Sequence, residues 1–481
     1  MNRQKCGFAS SFIRVVKSAV LVAILLAAIA FAQNPVPQIA GPVQPMAVAP
    51  GSAAFTLTVY GANFVPGAVV NWNGQPRTTS FISARELQAQ ILASDVAKPT
   101  AAVITAINPG PGGGHSSSSY AQIEVHTPTA GIVLNRPTTY FVDPWGIIPA
   151  AINGNGVLDF LGFAVEGTAI FAGNGNGTFT EQVTLGPLGY GIGGVGYGDF
   201  NHDGIEDVVY VSGNPSLPFD QAQLTVMLGD GNGQYHLGST FGAYAYSLVV
   251  GDFNGDGRLD IAALDGSLNI YLGNGDGTFQ QNQSFAFGGG SVFAGDFNGD
   301  GKLDLVVESP NILSSKGVLA LLVGNGDGTF QLPVVVPGSV RTQGCQTDML
   351  VSDFNGDGNL DLAFCNANQI AVVLGKGDGT FKKPVYVGAG YDGAYSIAAG
   401  DFNSDGKIDL VSSHVSFDYQ FWTMLGNGDG TFQPKQTMKH LPGAYTGEIG
   451  VLTGDFNSDG LLDLLLQPGL GDPVVYLQQR Q

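Results

Sequence analysis

One acidic phrase recurs along this chain: Asp-x-Asn-x-Asp-Gly-x-x-Asp. Its copies are Asp199-Asn201-Asp203-Asp207, Asp252-Asn254-Asp256-Asp260 and Asp296-Asn298-Asp300-Asp304. They continue as Asp353-Asn355-Asp357-Asp361, Asp401-Asn403-Asp405-Asp409 and Asp455-Asn457-Asp459-Asp463. Side-chain oxygens at positions 1, 3, 5 and 9 converge when such a loop curls, and the Gly at position 6 permits the bend. An all-oxygen set of this kind suits calcium, which takes six to eight oxygens, better than magnesium, which resists dehydration. Position 7 varies freely (Ile205, Arg258, Lys302, Asn359, Lys407, Leu461), so it would offer its carbonyl. Three carboxylates in one small loop repel each other strongly without a cation. About six Ca²⁺ sites are expected; the competing reading is a set of Asx-turn hairpins that hold no metal. A decayed copy, Ala151-x-Asn153-x-Asn155-Gly156-x-x-Asp159, has lost its first carboxylate. It binds metal weakly or is held by hydrogen bonds alone.

An EF-hand shares this spelling but needs flanking helices and a Glu at position 12. Position 12 here is Tyr210, Ala263, Val307, Phe364, Ser412 or Leu466. The flanks read as strands: Ser247-Leu248-Val249-Val250 before one loop, Leu259-Asp260-Ile261-Ala262-Ala263-Leu264 after it. Loop starts are spaced by 48, 53, 44, 57, 48 and 54 residues, which makes seven units. A second phrase, Gly-Asn-Gly-Asp-Gly-Thr-Phe, follows the first six loops and ends at Phe279, Phe330 and Phe432, with variants ending at Phe179, Tyr235 and Phe381. Each unit therefore reads as four antiparallel strands joined by an acidic loop, a variable loop and a glycine turn. Seven such units predict an all-β chain with a seven-bladed β-propeller. The last unit stops after Val474-Val475-Tyr476-Leu477 and lacks a fourth strand. A spare strand at 138–142 (Thr138 to Val142) is expected to complete it and close the ring, removing two raw sheet edges.

The two phrases resemble the FG-GAP/VCBS repeat family, propellers related to the integrin α-subunit head. The resemblance covers about 134–481 and implies Ca²⁺ in the aspartate-rich loops and a role in adhesion or recognition. Ahead of the ring, Phe55-Thr56-Leu57-Thr58-Val59-Tyr60-Gly61-Ala62-Asn63-Phe64 and Val70-Asn71-Trp72-Asn73-Gly74 resemble an IPT/TIG immunoglobulin-like domain. By pattern alone this region is a small β-sandwich, with Trp72 in its core and Ser116 to Ser119 in a turn. The expected division is a signal peptide at 1–32, the Ig-like domain at 37–126, a linker at 127–133 and the propeller at 134–481.

The signal reading rests on Arg3, Lys5, Arg14 and Lys17 ahead of an apolar run from Ser18 to Ala32 that ends Ala30-Phe31-Ala32. It implies a secreted, periplasmic or cell-surface protein with no membrane span after cleavage; an uncleaved signal anchor is the other reading. Removal of this segment leaves 15 basic and 39 acidic side chains, a net charge of −24. Such a surface repels nucleic acid. Eighteen of the 39 acids sit in the six loops, so much of the charge belongs to the metal sites and does not call for a basic partner. Cys345 and Cys365 flank one hairpin loop; they form a disulfide or remain two buried thiols.

Strand parity puts the acidic loops and glycine turns on one face. The variable loops 212–223, 308–317 and 412–420 fall on the other, where they suit a recognition surface. Aromatics near the inter-blade links (Trp145, Tyr190, Tyr246, Tyr395 and Tyr445) either stack on a ligand or pack between blades. No Gly-x-Ser-x-Gly, His-Glu-x-x-His or P-loop occurs. Of the six His, only His414, near Asp418, falls in a variable loop. The expectation is a monomeric, non-enzymatic module for an extracellular protein or glycan. An extracellular polysaccharide lyase or hydrolase with its site in the funnel, and a structural envelope protein, are the alternatives.

Overall fold

The computed structural model describes residues 33–115, 121–129, 134, 138–139, 144–150, 152, 157–164, 167–185, 194–212, 223–242, 244–288, 290–309, 318–339, 349–366, 369–388, 394–414, 420–439, 449–468 and 474–479. The stretches read as strands at 247–250, 260–264, 268–272, 464–466 and 474–476 are strands, and the described residues contain no helix. The expected signal at 1–32 lies outside the described residues.

Residues 38–125 form two facing sheets. One joins Gln38–Ile39, Phe55–Ala62, Glu86–Ile91 and Thr79–Ser83 in that order. The other joins Ala47–Val48, Ala121–Val125, Thr100–Asn108, Val69–Trp72 and Gln75–Pro76, with Gly114–His115 added to Thr100–Asn108. Alternate residues of both sheets (Leu57, Val59 and Leu87 from one; Val70, Ile104 and Ile123 from the other) meet in one core, with Trp72 buried among them. This is the sandwich that the period-two pattern predicts.

Seven four-stranded antiparallel sheets follow, each of the form of a propeller blade. Blade 1 runs Pro144–Ala150, Asp159–Ala164, Gly167–Gly173, Phe179–Leu185. Blades 2 to 6 begin at Val195, Ser247, Val292, Met349 and Ala394. Blade 7 takes three strands from the C-terminus (Ile449–Gly454, Asp463–Pro468, Val474–Tyr476) and its fourth from Thr138–Thr139. Thr138 pairs with Val475 and Thr139 with Val474, while Leu134 bridges Gln478. The spare strand thus lies where the sequence places it, over its first two residues; 140–143 lie outside the described residues.

Each blade packs on the next through its own apolar cluster. Tyr197 and Val208 of blade 2 meet Leu161 and Ile170 of blade 1. At the other end, Phe456, Leu465 and Val475 of blade 7 meet Phe160 and Phe171 of blade 1. A repeated pair of aromatics marks these seams. The Phe at loop position 2 of one blade meets the Phe that ends the glycine turn of the next: Phe200 with Phe279, Phe253 with Phe330, Phe297 with Phe381, Phe354 with Phe432. Phe456 of blade 7 meets Phe179 of blade 1 edge-on, ring centroids 5.7 Å apart. A backbone bond accompanies the contact, as Gly177 N–H donates to Phe456 O at 2.9 Å and Gly277 N–H to Phe200 O at 3.0 Å. Blade 7 has no glycine turn, and there the Gln478 side chain donates to Phe402 O at 2.6 Å instead.

Truncation of a buried Phe costs about 3–5 kcal/mol. Phe456→Ala should lower the urea midpoint by a corresponding amount, since it opens the seam between the last blade and the first. An unchanged midpoint would show that this seam does not hold the ring.

Candidate functional site

The six loops fold alike. Asp252 Oδ1 accepts N–H bonds from Gly255 (2.7 Å) and Asp256 (3.2 Å), and its Oδ2 accepts one from Gly257 at 2.8 Å. Asn254 Oδ1 accepts from the Asp256 N–H at 2.8 Å, and Asp256 Oδ1 from the Arg258 N–H at 3.0 Å. The bonds from positions 5, 6 and 7 recur in the loops that begin at 199, 296, 353, 401 and 455. The curl requires left-handed backbone at positions 4 and 6. Gly255 (φ 71°) and Gly257 (φ 81°) supply it in one loop, while His202, Ser404 and Ser458 adopt it at position 4 elsewhere. His202 is an exposed spacer, as the sequence indicates.

Position 9 has a separate task. Asp260 accepts the Phe253 N–H on Oδ2 and the Gly273 N–H on Oδ1, both at 2.9 Å. It thereby ties the start of the acidic loop to the end of the third strand. The same double bond is made by Asp207, Asp304, Asp361 and Asp409, and by Asp463 with Phe456 and Gln478. Asp159 of the decayed copy makes it too, to Ile152 at 3.2 Å and Gly173 at 3.0 Å. Its partners Asn153 and Asn155 lie outside the described residues. Blade 1 therefore keeps the position-9 bond with no carboxylate at position 1. The sequence held a signal for this: Asp159 is the one acid that the decayed copy retains.

Burial sets the electrostatics. Position-9 side chains are buried in all seven blades, and position-1 side chains in every loop except the one at 199. Burial pushes Asp207, Asp304 and Asp361 up to about 7, against the opposing effect of their backbone N–H bonds. Asp409 rises to about 8 and Asp463 to about 9, for burial first and then for the nearby Asp401 and Asp455 charges. At position 1, burial raises Asp401 and Asp455 to about 7. Carboxyl groups this crowded favour a proton or a cation. Among the described residues, however, no three His, Cys, Asp or Glu side chains are gathered as a bound metal would gather them. Position 3 is an amide, and position 9 faces the strand amides.

The sandwich lies on this loop face. Val36 N–H donates to Asp252 Oδ2 at 2.9 Å, and the Asn63 amide donates to Asp252 O at 3.0 Å. Arg85 Nε lies 3.0 Å from Asp296 Oδ2. Ser404 Oγ donates to Glu124 Oε2 at 2.8 Å, and Thr129 N–H to Asn403 O at 2.7 Å. Burial, then the charge of Asp401, raises Glu124 well above the ordinary carboxylate value. Sequence reasoning missed Val36, Asn63, Arg85 and Glu124, because nothing local links them to loops so distant in the chain.

The other predicted residues scatter. Tyr246 is exposed at the start of blade 3 and meets Tyr244 edge-on at 4.8 Å. Trp145 and Tyr395 lie near the inter-blade links, each second in a first strand where the pairing register shifts; their side chains lie outside the described residues. Tyr190, Tyr445 and Cys345 lie outside them entirely. Cys365 is buried in the core between blades 5 and 6.

Asp159→Ala should strip the acceptor from two buried amides, each worth about 1–3 kcal/mol. Urea unfolding should show that loss equally with calcium and with EGTA. A loss confined to calcium would make Asp159 a metal ligand and not a strut.

The FG-GAP-like repeat family matches residues 152–210, 261–307, 353–412 and 401–466, and the FG-GAP repeat family matches 244–263. No curated protein matches the chain in sequence. Among solved structures, a lectin of Agrocybe aegerita that recognises non-reducing terminal N-acetylglucosamine is 15% identical, with 84% of this chain and 100% of the lectin covered and a TM-score of 0.43. An auxiliary nutrient binding protein of Bacteroides ovatus is 12% identical over 92% of this chain and 98% of its own, TM-score 0.40. The Photorhabdus luminescens Tc holotoxin pore is 15% identical over 88% of this chain and 20% of its own, TM-score 0.35. At such scores none of the three decides between functions. The family matches take in all six acidic loops, so the repeats are of FG-GAP type and the chain is an FG-GAP-repeat β-propeller.

Proposed function

We propose that this chain is an exported, calcium-stabilised recognition module, built as one closed seven-bladed ring with an Ig-like sandwich on its loop face, that binds an extracellular protein or glycan. Calcium would be held by the oxygens of positions 1, 3 and 5 and the carbonyl of position 7. The donor chemistry fits: only oxygen, two carboxylates and an amide per loop, with the position-1 carboxylate buried in five of the six loops. Bound calcium would add positive charge to loops where basic side chains meet only some of the carboxylates: Arg85 at Asp296, Arg258 at Asp256 and Lys407 at Asp405.

The observation that carries recognition is the division of the two faces. The acidic face is engaged by the chain's own sandwich through Val36, Asn63, Arg85 and Glu124. A ligand is left the opposite face, from which Tyr246 projects beside Tyr244. An exposed aromatic pair stacks on sugar rings or anchors a protein partner. The enzyme and envelope alternatives remain separate outcomes of the same experiment. Residues 33–481 should capture a ligand in a glycan array or a pull-down from an extracellular fraction, and Tyr246→Ala should weaken capture at least several-fold without altering thermal unfolding. Turnover of a polysaccharide by the same sample would favour the enzyme. No ligand and no turnover would favour the structural role.

Calcium makes its own prediction. Extracellular calcium modules bind at roughly 10⁻⁴–10⁻³ M. At tenfold excess each site contributes about 1.4 kcal/mol, so several sites rival the ~5–15 kcal/mol net stability of a domain. EGTA should therefore lower the Tm markedly. Without calcium the folded chain holds protons on its buried aspartates that the unfolded chain releases. Stability from these groups is complete below about pH 4 and is lost as pH rises through about 7 to 9. Unfolding midpoints in EGTA should fall across that window, and calcium should flatten the fall. A pH-independent midpoint in EGTA would contradict the charge account.

A further inference from the structure

The sandwich does not treat the loops alike. At Asp252 it offers neutral donors, at the 401 loop it brings a carboxylate, and at the 296 loop it brings a fixed cation. We propose that the Arg85 guanidinium is the resident cation of the loop at 296–304, so that this loop takes no calcium and instead clamps the sandwich to the ring. The inference rests on the calcium reading of the sister loops but concerns an exception to it.

The contact is built from both sides. Asp296 has a side chain only 2% exposed, and its carboxylate shares a small loop with Asp300. Arg85 Nε stands 3.0 Å from Asp296 Oδ2. The Nε–H is not aimed along that line and makes no aligned hydrogen bond, so the attraction is that of two opposite charges in contact. The same guanidinium donates from Nη2 to Gly358 O at 3.3 Å, in the next acidic loop, and so spans blades 4 and 5. The guanidinium also lies close to the turn: a Cβ on Gly299 would come within 3.1 Å of Nη1.

The backbone that carries Arg85 is itself held. Gly61 N–H donates to Arg85 O at 3.0 Å and Phe64 N–H to Ala84 O at 3.1 Å. Asn63 N–H donates to Gly301 O, loop position 6, at 3.0 Å. A Cβ on Gly301 would lie 2.6 Å from the Ala84 Cβ, so the loop and this hairpin meet without room for a side chain. A divalent ion on Asp296 would stand against a guanidinium whose backbone this packing anchors beside the loop, and like charges in contact disfavour it. At the 401 loop the sign is reversed. Glu124 brings a further carboxyl to the loop through Ser404, and the loop's own Lys407 Nζ lies 3.5 Å from Asp405 Oδ2, leaving Asp401 without a cation from the sandwich. Other loop aspartates also meet cations, Arg258 at Asp256 and Lys407 at Asp405, but these come from the loops themselves and contact more exposed position-5 carboxylates; of these cations Arg85 alone comes from the sandwich and contacts a buried position-1 carboxylate.

The test is calcium stoichiometry of the chelator-stripped mature chain, by equilibrium dialysis, for wild type, Arg85→Gln, Arg85→Lys, Asp296→Asn, Asp401→Asn and Arg85→Gln/Asp296→Asn. Arg85→Gln should bind one more calcium than wild type, and Arg85→Lys should keep the wild-type count. Asp296→Asn alone should change nothing, and in the double variant it should abolish the gain. Asp401→Asn should lose one ion. Loss of an ion in Asp296→Asn, or no gain in Arg85→Gln, overturns the proposal. If wild type and Asp401→Asn both bind none, the calcium reading fails by itself. The clamp is then judged by urea unfolding in EGTA, where Arg85→Gln should be destabilising and Asp296→Asn should partly rescue it. Additive effects of the two substitutions would overturn it.

Discussion

A buried carboxylate that accepts two backbone N–H bonds is the interaction on which this architecture depends. In each blade the aspartate that ends the acidic loop ties that loop to the far end of the third strand. Both amides would otherwise be buried without a partner, which is costly. The neighbouring Phe, fixed by one of those bonds, is then presented to the next blade, where it meets the glycine turn. A local bond inside one sheet therefore sets the packing between sheets. Where blade 7 lacks the turn, Gln478 takes over both tasks, donating its backbone N–H to Asp463 and its side chain to Phe402 O.

The same arrangement creates a charge problem. Burial raises the strut aspartates toward neutral pH, and a second aspartate at position 1 lies close by in six of the seven blades. The chain answers it in several currencies of chemistry: backbone N–H groups everywhere, neutral donors from Val36 and Asn63 at one loop, and a guanidinium at another. Divalent ions complete the proposed set. On that proposal, docking of the sandwich and occupancy of the loops would be linked, because Val36, Asn63 and Arg85 of the N-terminal region touch the loops.

Most of the fold was legible because repetition makes period and turn chemistry self-evident. Six spellings of one loop give the blade, and the shortfall after Tyr476 with a spare strand near Thr138 gives the closure. The acidic loop residues were legible as a set. Their two roles were not, since Asp252 and Asp260 look equivalent in a nine-residue motif; only the survival of Asp159 in a decayed copy separates them. The contacts of Arg85 and Glu124 had no sequence signal. They depend on how two domains meet, and no periodicity encodes that. Trp145 and Tyr395 lie near the links, as their place in the repeat implies; the register shifts beside them arise from strand pairing and leave no mark in the sequence.

The division of labour within the loop is open to hydrogen–deuterium exchange, compared in calcium and in EGTA. The strut amides, such as Phe354 and Gly375, should stay protected in both, while the turn amides of Asp357 and Asn359 should lose protection when calcium is removed. Loss of both sets together in EGTA would mean that the metal, and not the buried carboxylate, holds the blade.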